Sequence, residues 1–200
     1  MVTEDKKAAD EDDDSEDGFY CNFVKDHIIY IHGDFDCGIS KHVIPLFKQE
    51  ITRQKQFKDQ KIVIDISSTG GHISMLAELV ALIEMAKSDG IIIETRAMSH
   101  AHSCGSILLA SGTVGHRFVS PMTRVLVHHT RHWYDTSTDT QIEREYEHAK
   151  HVSQIMKKLL QRYTKIPAKI LTAMLADDSY YVFGDDLIKF GIADKFAYEL

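Results

Sequence analysis

Apolar positions along this chain alternate between two spacings. Short β-branched runs predict three buried strands: His27-Ile28-Ile29-Tyr30-Ile31-His32-Gly33, Lys61-Ile62-Val63-Ile64-Asp65-Ile66-Ser67 and Gly90-Ile91-Ile92-Ile93-Glu94-Thr95. Between them, apolar residues recur at three- and four-residue steps, the spacing of one helix face. Residues 41–54 carry Val43, Ile44, Phe47 and Ile51 in this way. Pro45 is tolerated only in a first turn, so that helix is predicted to start near Ser40. Residues 72–87 put Ile73, Leu76, Leu79, Val80 and Ile83 on a broad apolar face, and Asp89-Gly90 ends the run. Strand, helix, strand, helix, strand with short connections is the βαβ pattern of a parallel sheet.

The second half continues the pattern with shorter pieces. Ile107-Leu108-Leu109-Ala110 reads as helix, His116 to Val119 as a short strand, Ser120 to Thr123 as a turn and Arg124 to His129 as a strand. Residues 131–139 are polar and predict a loop. Residues 140–163 predict the longest helix, with Ile142, Tyr146, Ala149, Val152, Met156, Leu159 and Tyr163 in register and charges opposite. At 1.5 Å per residue it would reach about 36 Å, long for a body of this size. It is expected to project and to pack on another subunit. A short helix from Ile166-Pro167 to Leu175, a turn at Asp177-Asp178-Ser179, a strand-like run to Phe183, a helical turn capped by Gly191 and a closing segment to Phe196 complete an α/β chain.

Charge divides the chain unevenly. The net charge of −7 resides in residues 1–17, which hold nine acids and two lysines, so the rest is balanced. This acidic stretch has no large apolar residues and is expected to be a disordered tail. Residues 18–26, with Phe19, Tyr20 and Phe23, form a transition segment, and 27–200 the folded domain. The balanced body gives no nucleic-acid footprint. No run of about 18 apolar residues is present, so no membrane span is expected. Cys21, Cys37 and Cys104 are odd in number and lack CxxC spacing, which favours a reducing, cytoplasmic setting over a disulfide framework.

The chemistry concentrates at Ser103, between the third strand and the helix at 107. A serine at such a junction is either an N-cap or a nucleophile placed where helix N–H groups point outward. Acyl transfer would also require a base, an acid to orient it and oxyanion donors. Among twelve histidines, His128 is the best placed base, since it ends a strand that follows the Ser103 helix. His129 alternates to the opposite face, and His100 and His102 lie too close along the chain to serve. Asp177 or Asp178 supplies the acid. The amides of Gly70-Gly71 and of Cys104 are candidate oxyanion donors. His100-x-His102 and His128-His129 offer imidazoles, but without HExxH or CxxC spacing neither a metal nor another cofactor is expected.

Four separated stretches resemble the proteolytic subunit of the ATP-dependent Clp protease: Ile66-Ser67-Ser68-Thr69-Gly70-Gly71, His102-Ser103-Cys104-Gly105 with Leu108 to Gly112, Thr123 to His128, and Gly191-Ile192-Ala193-Asp194. The opening Ile28 to Gly33 agrees as well, so the resemblance covers about 27–196. It implies the Clp/crotonase-like fold, with repeated β-β-α and βαβ units and a projecting handle helix at about 140–163. It implies a serine endopeptidase with Ser103 as nucleophile, His128 as base, Asp178 as acid, and Gly71 and Cys104 as oxyanion donors. It also implies stacked seven-membered rings of this chain, an ATP-driven unfoldase of the AAA+ class as partner, and unfolded polypeptides as substrates, with no nucleic acid or membrane involved. Three positions depart from the family: Thr69 replaces its proline, Cys104 its methionine, and an ungapped count back from Gly191 puts Ser179 at its aspartate. A one-residue insertion within Tyr180–Gly184 restores Asp178, and Asp177 is the alternative. A catalytically weakened ring subunit and a crotonase-type acyl-CoA enzyme are the competing expectations.

Overall fold

The computed structural model describes residues 22–128, 138–177 and 180–199. The expectation of a disordered tail at 1–17 and most of the loop at 131–139 lie outside them. The described chain is a mixed α/β structure with two sheets, mostly parallel, in line with the α/β expectation. Strands β1 (Asn22–Lys25), β2 (Ile28–Ile31), β3 (Lys61–Ile66), β4 (Ile92–Ala97), β6 (Arg117–Val119) and β9 (Lys195–Phe196) form one sheet in that order. Only the β1–β2 pair is antiparallel. A second sheet has the order β5 (His100–His102), β7 (Arg124–Val127), β8 (Tyr180–Phe183).

Burial in the large sheet alternates. Ile29 and Ile31 of β2, Ile62, Ile64 and Ile66 of β3, and Ile93 and Ala97 of β4 are all fully buried. Their neighbours Tyr30, Val63, Asp65 and Arg96 are half-buried. The buried face packs with α1 (Ile44–Gln54), α2 (Ile73–Ser88) and α3 (Cys104–Ala110) in one apolar cluster. β2 and β3 are therefore one-sided, whereas β4 buries Glu94 and Thr95 as well.

Three local features differ from the sequence expectation. The segment expected as a transition, 18–26, contributes β1. It closes on β2 through Asp26 and His27, both at positive φ (50° and 66°), the geometry of a tight hairpin turn. The first helix opens with a π-helical turn over Ile39–Val43, in which the Ile44 N–H reaches back five residues to the Ile39 carbonyl. Pro45 has no N–H to sustain the ordinary ladder there. Finally, the strand carrying His128 stops at Val127 and belongs to the small sheet, beside β5, rather than to the sheet that holds the earlier strands.

The longest helix, α4, spans Asp139–Tyr163. Its second half buries Ala149, Val152, Met156 and Leu160, whereas residues 140–148 are exposed throughout, with Ile142 at 45% and Tyr146 at 59%. Helices α5 (Ala168–Ala176) and α6 (Asp185–Lys189) follow. No helix among the described residues is long and apolar enough to cross a membrane.

Arg117 ties the C-terminal part to the sheet. Its guanidinium is 3% exposed and pairs with Asp194 at 2.6 Å. It also donates to the carbonyls of Ala110, Tyr163 and Gly191 at 3.1, 2.9 and 2.8 Å. One cation thus joins the ends of α3, α4 and α6 to β6. Burial pushes the Asp194 carboxyl up, but Arg117 and the N–H groups of Gly115 and Arg117 outweigh it and hold the group below its ordinary range. Breaking such a buried pair from one side costs about 3–5 kcal/mol. Asp194→Asn is expected to lose about that much in denaturant titrations at pH 7. Because the folded carboxyl is depressed, its contribution is complete above the unfolded value of about 3.9 and disappears as pH falls below it. The gap between Asp194→Asn and the parent should therefore narrow in acid; a gap that is absent at pH 7, or that widens as pH falls, contradicts this role.

Candidate active site

Strand β5 is three residues long and is held on both edges. On one side His100, Ala101 and His102 pair in parallel with Arg124, Val125 and Leu126 of β7. On the other, Ala101 bridges Ser68 at the end of β3, with Ser68 N–H to His100 carbonyl at 3.3 Å and His102 N–H to Ser68 carbonyl at 2.9 Å. Neither His-Ala-His nor Ser68 has the β-branched composition that announces a strand, so this element was not legible from sequence.

Ser103 follows β5 directly. Its N–H donates to the Leu126 carbonyl at 2.9 Å, and its backbone sits at φ 53°, ψ −117°. Positive φ in a residue with a Cβ costs of order 1–3 kcal/mol and persists only where the surroundings impose it. Ser103 occupies the N-cap position of α3, yet its side chain makes no cap hydrogen bond. The hydroxyl is therefore held at the helix start without the task that a capping serine performs.

Gly70 packs against Ser103, and Gly71 against the Phe35 backbone, too closely for a side chain at either position. A Cβ on Gly70 would lie 2.6 Å from Ser103 Cβ and 3.2 Å from its Oγ. A Cβ on Gly71 would lie 2.7 Å from the Phe35 backbone nitrogen. The glycine turn is stapled to the turn after β2. The Phe35 N–H donates to the Gly70 carbonyl at 2.7 Å, and the His72 N–H donates to the Phe35 carbonyl at 2.7 Å. Ser68 Oγ donates to the Gly33 carbonyl at 2.6 Å and accepts the Gly70 N–H at 3.1 Å. Thr69 Oγ1 donates to the Asp34 carboxylate. Asn22, buried behind them, donates to the Asp34 carbonyl at 2.8 Å and accepts from the Gly33 N–H at 3.2 Å. Thr69 thus contributes a side-chain tether across the turn. Sequence reading missed Asp34 and Asn22, because their partners lie 35 and 12 residues away and the contacts belong to tertiary structure.

The structure also brings Cys104 to Gly71. The thiol is buried and donates to the Gly71 carbonyl at 3.3 Å. Burial, only partly offset by Gly71 and by the neighbouring Ser103, pushes the thiol up to about 11. It therefore stays protonated at neutral pH and is not a competing nucleophile. Among the described residues, no turn or loop backbone hydrogen bond takes up the N–H groups of Gly71 and Cys104.

His128 is half-buried and follows the last residue of β7, as Ser103 follows the last residue of β5. These are neighbouring parallel strands, about 4.8 Å apart, so both residues leave the same end of one sheet. Val127 pairs with Tyr180, the first residue of β8, so β8 begins at that end as well. Asp177, at the C-terminus of α5, is exposed. Asp178, the alternative position Ser179, and His129 lie outside the described residues. Among the described residues no group of three or more His, Cys, Asp or Glu side chains is placed to hold a metal ion.

Two glycines separate the clash from the strain. Gly70→Ala and Gly115→Ala both place a side chain at positive φ (104° and 90°), but only the former meets atoms within 4 Å. Gly70→Ala is expected to cost about 1–3 kcal/mol more than Gly115→Ala in urea titrations; equal losses would mean that Gly70 and Ser103 are not pressed together. A family model described as Clp protease matches residues 11–199 of this chain.

Proposed function

The chain belongs to the Clp protease family, and from that premise we propose that it is a serine endopeptidase subunit acting through Ser103, His128 and Asp178. The observation that carries this reading is the state of Ser103: a strained N-cap serine whose hydroxyl makes no cap bond. In the proposed cycle, His128 takes the Ser103 proton as Oγ attacks the scissile carbonyl, forming the acyl-enzyme through a tetrahedral intermediate. The proton then passes to the leaving amine, and water repeats the sequence to release the acid. Asp178 fixes the imidazole's tautomer and stabilises the imidazolium. The Gly71 and Cys104 N–H groups receive the oxyanion; each such donor is worth about 2.7–4 kcal/mol in the transition state.

Assembly follows from α4. Its N-terminal half carries Ile142 and Tyr146 one turn apart and exposed, an apolar pair that a second copy would bury. We take this half as the handle that interlocks two rings of seven. The enclosed serines would then receive polypeptide threaded by an ATP-driven unfoldase.

Ser103→Ala removes the nucleophile without disturbing the fold, since alanine fits wherever serine does at this φ. Hydrolysis of an unstructured protein such as casein by the assembled chain should fall by about 10⁴-fold or more, with the oligomer's mass by light scattering unchanged. Residual activity near the parent's sinks the assignment. Ile142→Glu with Tyr146→Glu should halve the oligomer's mass, leaving single rings; an unchanged mass contradicts the handle.

A further inference from the structure

The face of the small sheet next to Ser103 gathers two imidazoles and a guanidinium. Paired residues on neighbouring strands point to the same side. His100 pairs with Arg124 and His102 with Leu126; Arg124 in turn pairs with Phe183 and Leu126 with Tyr181. The intervening Ala101, Val125 and Val182 point into the core. His100, His102, Arg124, Tyr181 and Phe183 therefore share the outer face, where Tyr181 and Phe183 are 45% and 65% exposed. The His102 ring lies edge-on to Tyr181 at 5.7 Å and tilted to His100 at 5.1 Å.

Among the described residues no carboxylate pairs with His100, His102 or the exposed Arg124. His102 Nε2 is buried and has no hydrogen-bond partner among them. Burial first, then the charges of His100, Arg124 and His128, hold the His102 imidazole below its ordinary value. All three neighbours thus bear on His102 with the same sign. A carboxylate arriving here would gain the exposed Arg124 guanidinium, able to bind it through two N–H groups, beside the His100 ring.

We propose that this face, built on His100, His102 and Arg124, binds carboxylate side chains of the polypeptide beside the bond cut at Ser103. Acidic segments are then the preferred substrates. This rests on the peptidase reading above. Tyr181 and Phe183 supply apolar walls, and the strand that carries His100 and His102 runs directly into Ser103.

The test uses the full chain and matched fluorogenic peptides differing only in Glu, Gln or Lys beside the scissile bond. For the parent, kcat/KM for the Glu peptide should exceed that for the isosteric Gln peptide by about tenfold, the worth of one charge-assisted hydrogen bond. The Lys peptide should be poorest. In Arg124→Gln the Glu:Gln ratio should fall toward one, and Arg124→Lys should keep part of it. Arg124 is exposed, so thermal melting of both variants is expected to match the parent. Binding is read separately, by anisotropy of the same peptides on Ser103→Ala. A Glu preference there without hydrolysis by the parent would sink the peptidase reading and leave the face standing. Cleavage of Glu and Gln peptides at equal rates, a ratio unaltered by Arg124→Gln, or no Glu preference in binding would overturn the face.

Discussion

A three-residue strand couples the two sheets, and the candidate site depends on it. β5 is bonded to β7 on one edge and bridged to Ser68, the residue that leads into the glycine turn, on the other. Any displacement of β5 would move Ser103 relative to both His128 and Gly70-Gly71. Three short elements from distant parts of the sequence are thereby fixed against one another through backbone hydrogen bonds, which tolerate less play than side-chain contacts. The strain at Ser103 is a consequence. The chain turns from a strand bonded on both sides into α3 within one residue, and Ser103 makes that turn at positive φ with its N–H held by the Leu126 carbonyl.

Two side-chain networks support that arrangement from outside it. Asn22, Asp34, Ser68 and Thr69 secure the glycine turn to the end of β2, so the first described strand reinforces the amides proposed to face the oxyanion. Arg117 performs the equivalent task at the other end. It collects the carbonyls where α3, α4 and α6 finish and neutralises them together with Asp194. The cation at three helix C-termini also opposes their negative dipole ends. The exposed half of α4 lies beyond this knot, which is how a long helix is anchored firmly at one end while the other stays open for a second copy.

Much of this was legible in sequence where a local pattern carries the information. The isoleucine runs of β2, β3 and β4, the 3.6-residue periodicity of α2 and α4, and the Gly191 cap are short-range signals, and each predicted element is present. Ser103 and the glycine pair were legible as motifs. What escaped were features decided by tertiary pairing. β5 has no strand composition of its own and exists because β7 and Ser68 flank it. β1 required a turn with Asp26 and His27 both at positive φ, for which the residue types give little warning. The Thr69–Asp34 bond turned an apparent departure into a tether, and nothing within ten residues of Thr69 foretold it. The face shared by His100, His102 and Arg124 was equally hidden, because it assembles from alternate residues of three strands.

The central claim is that Ser103, rather than any of the chain's other hydroxyls or its buried thiol, is the activated nucleophile, and that His128 activates it. A fluorophosphonate probe tests both halves at once. After brief exposure of the assembled chain, peptide mapping by mass spectrometry should place a single adduct on Ser103, and His128→Ala should label at least about 100-fold more slowly, the usual scale of a general-base contribution. An adduct elsewhere, or unchanged labelling of Ser103 in His128→Ala, would contradict the account.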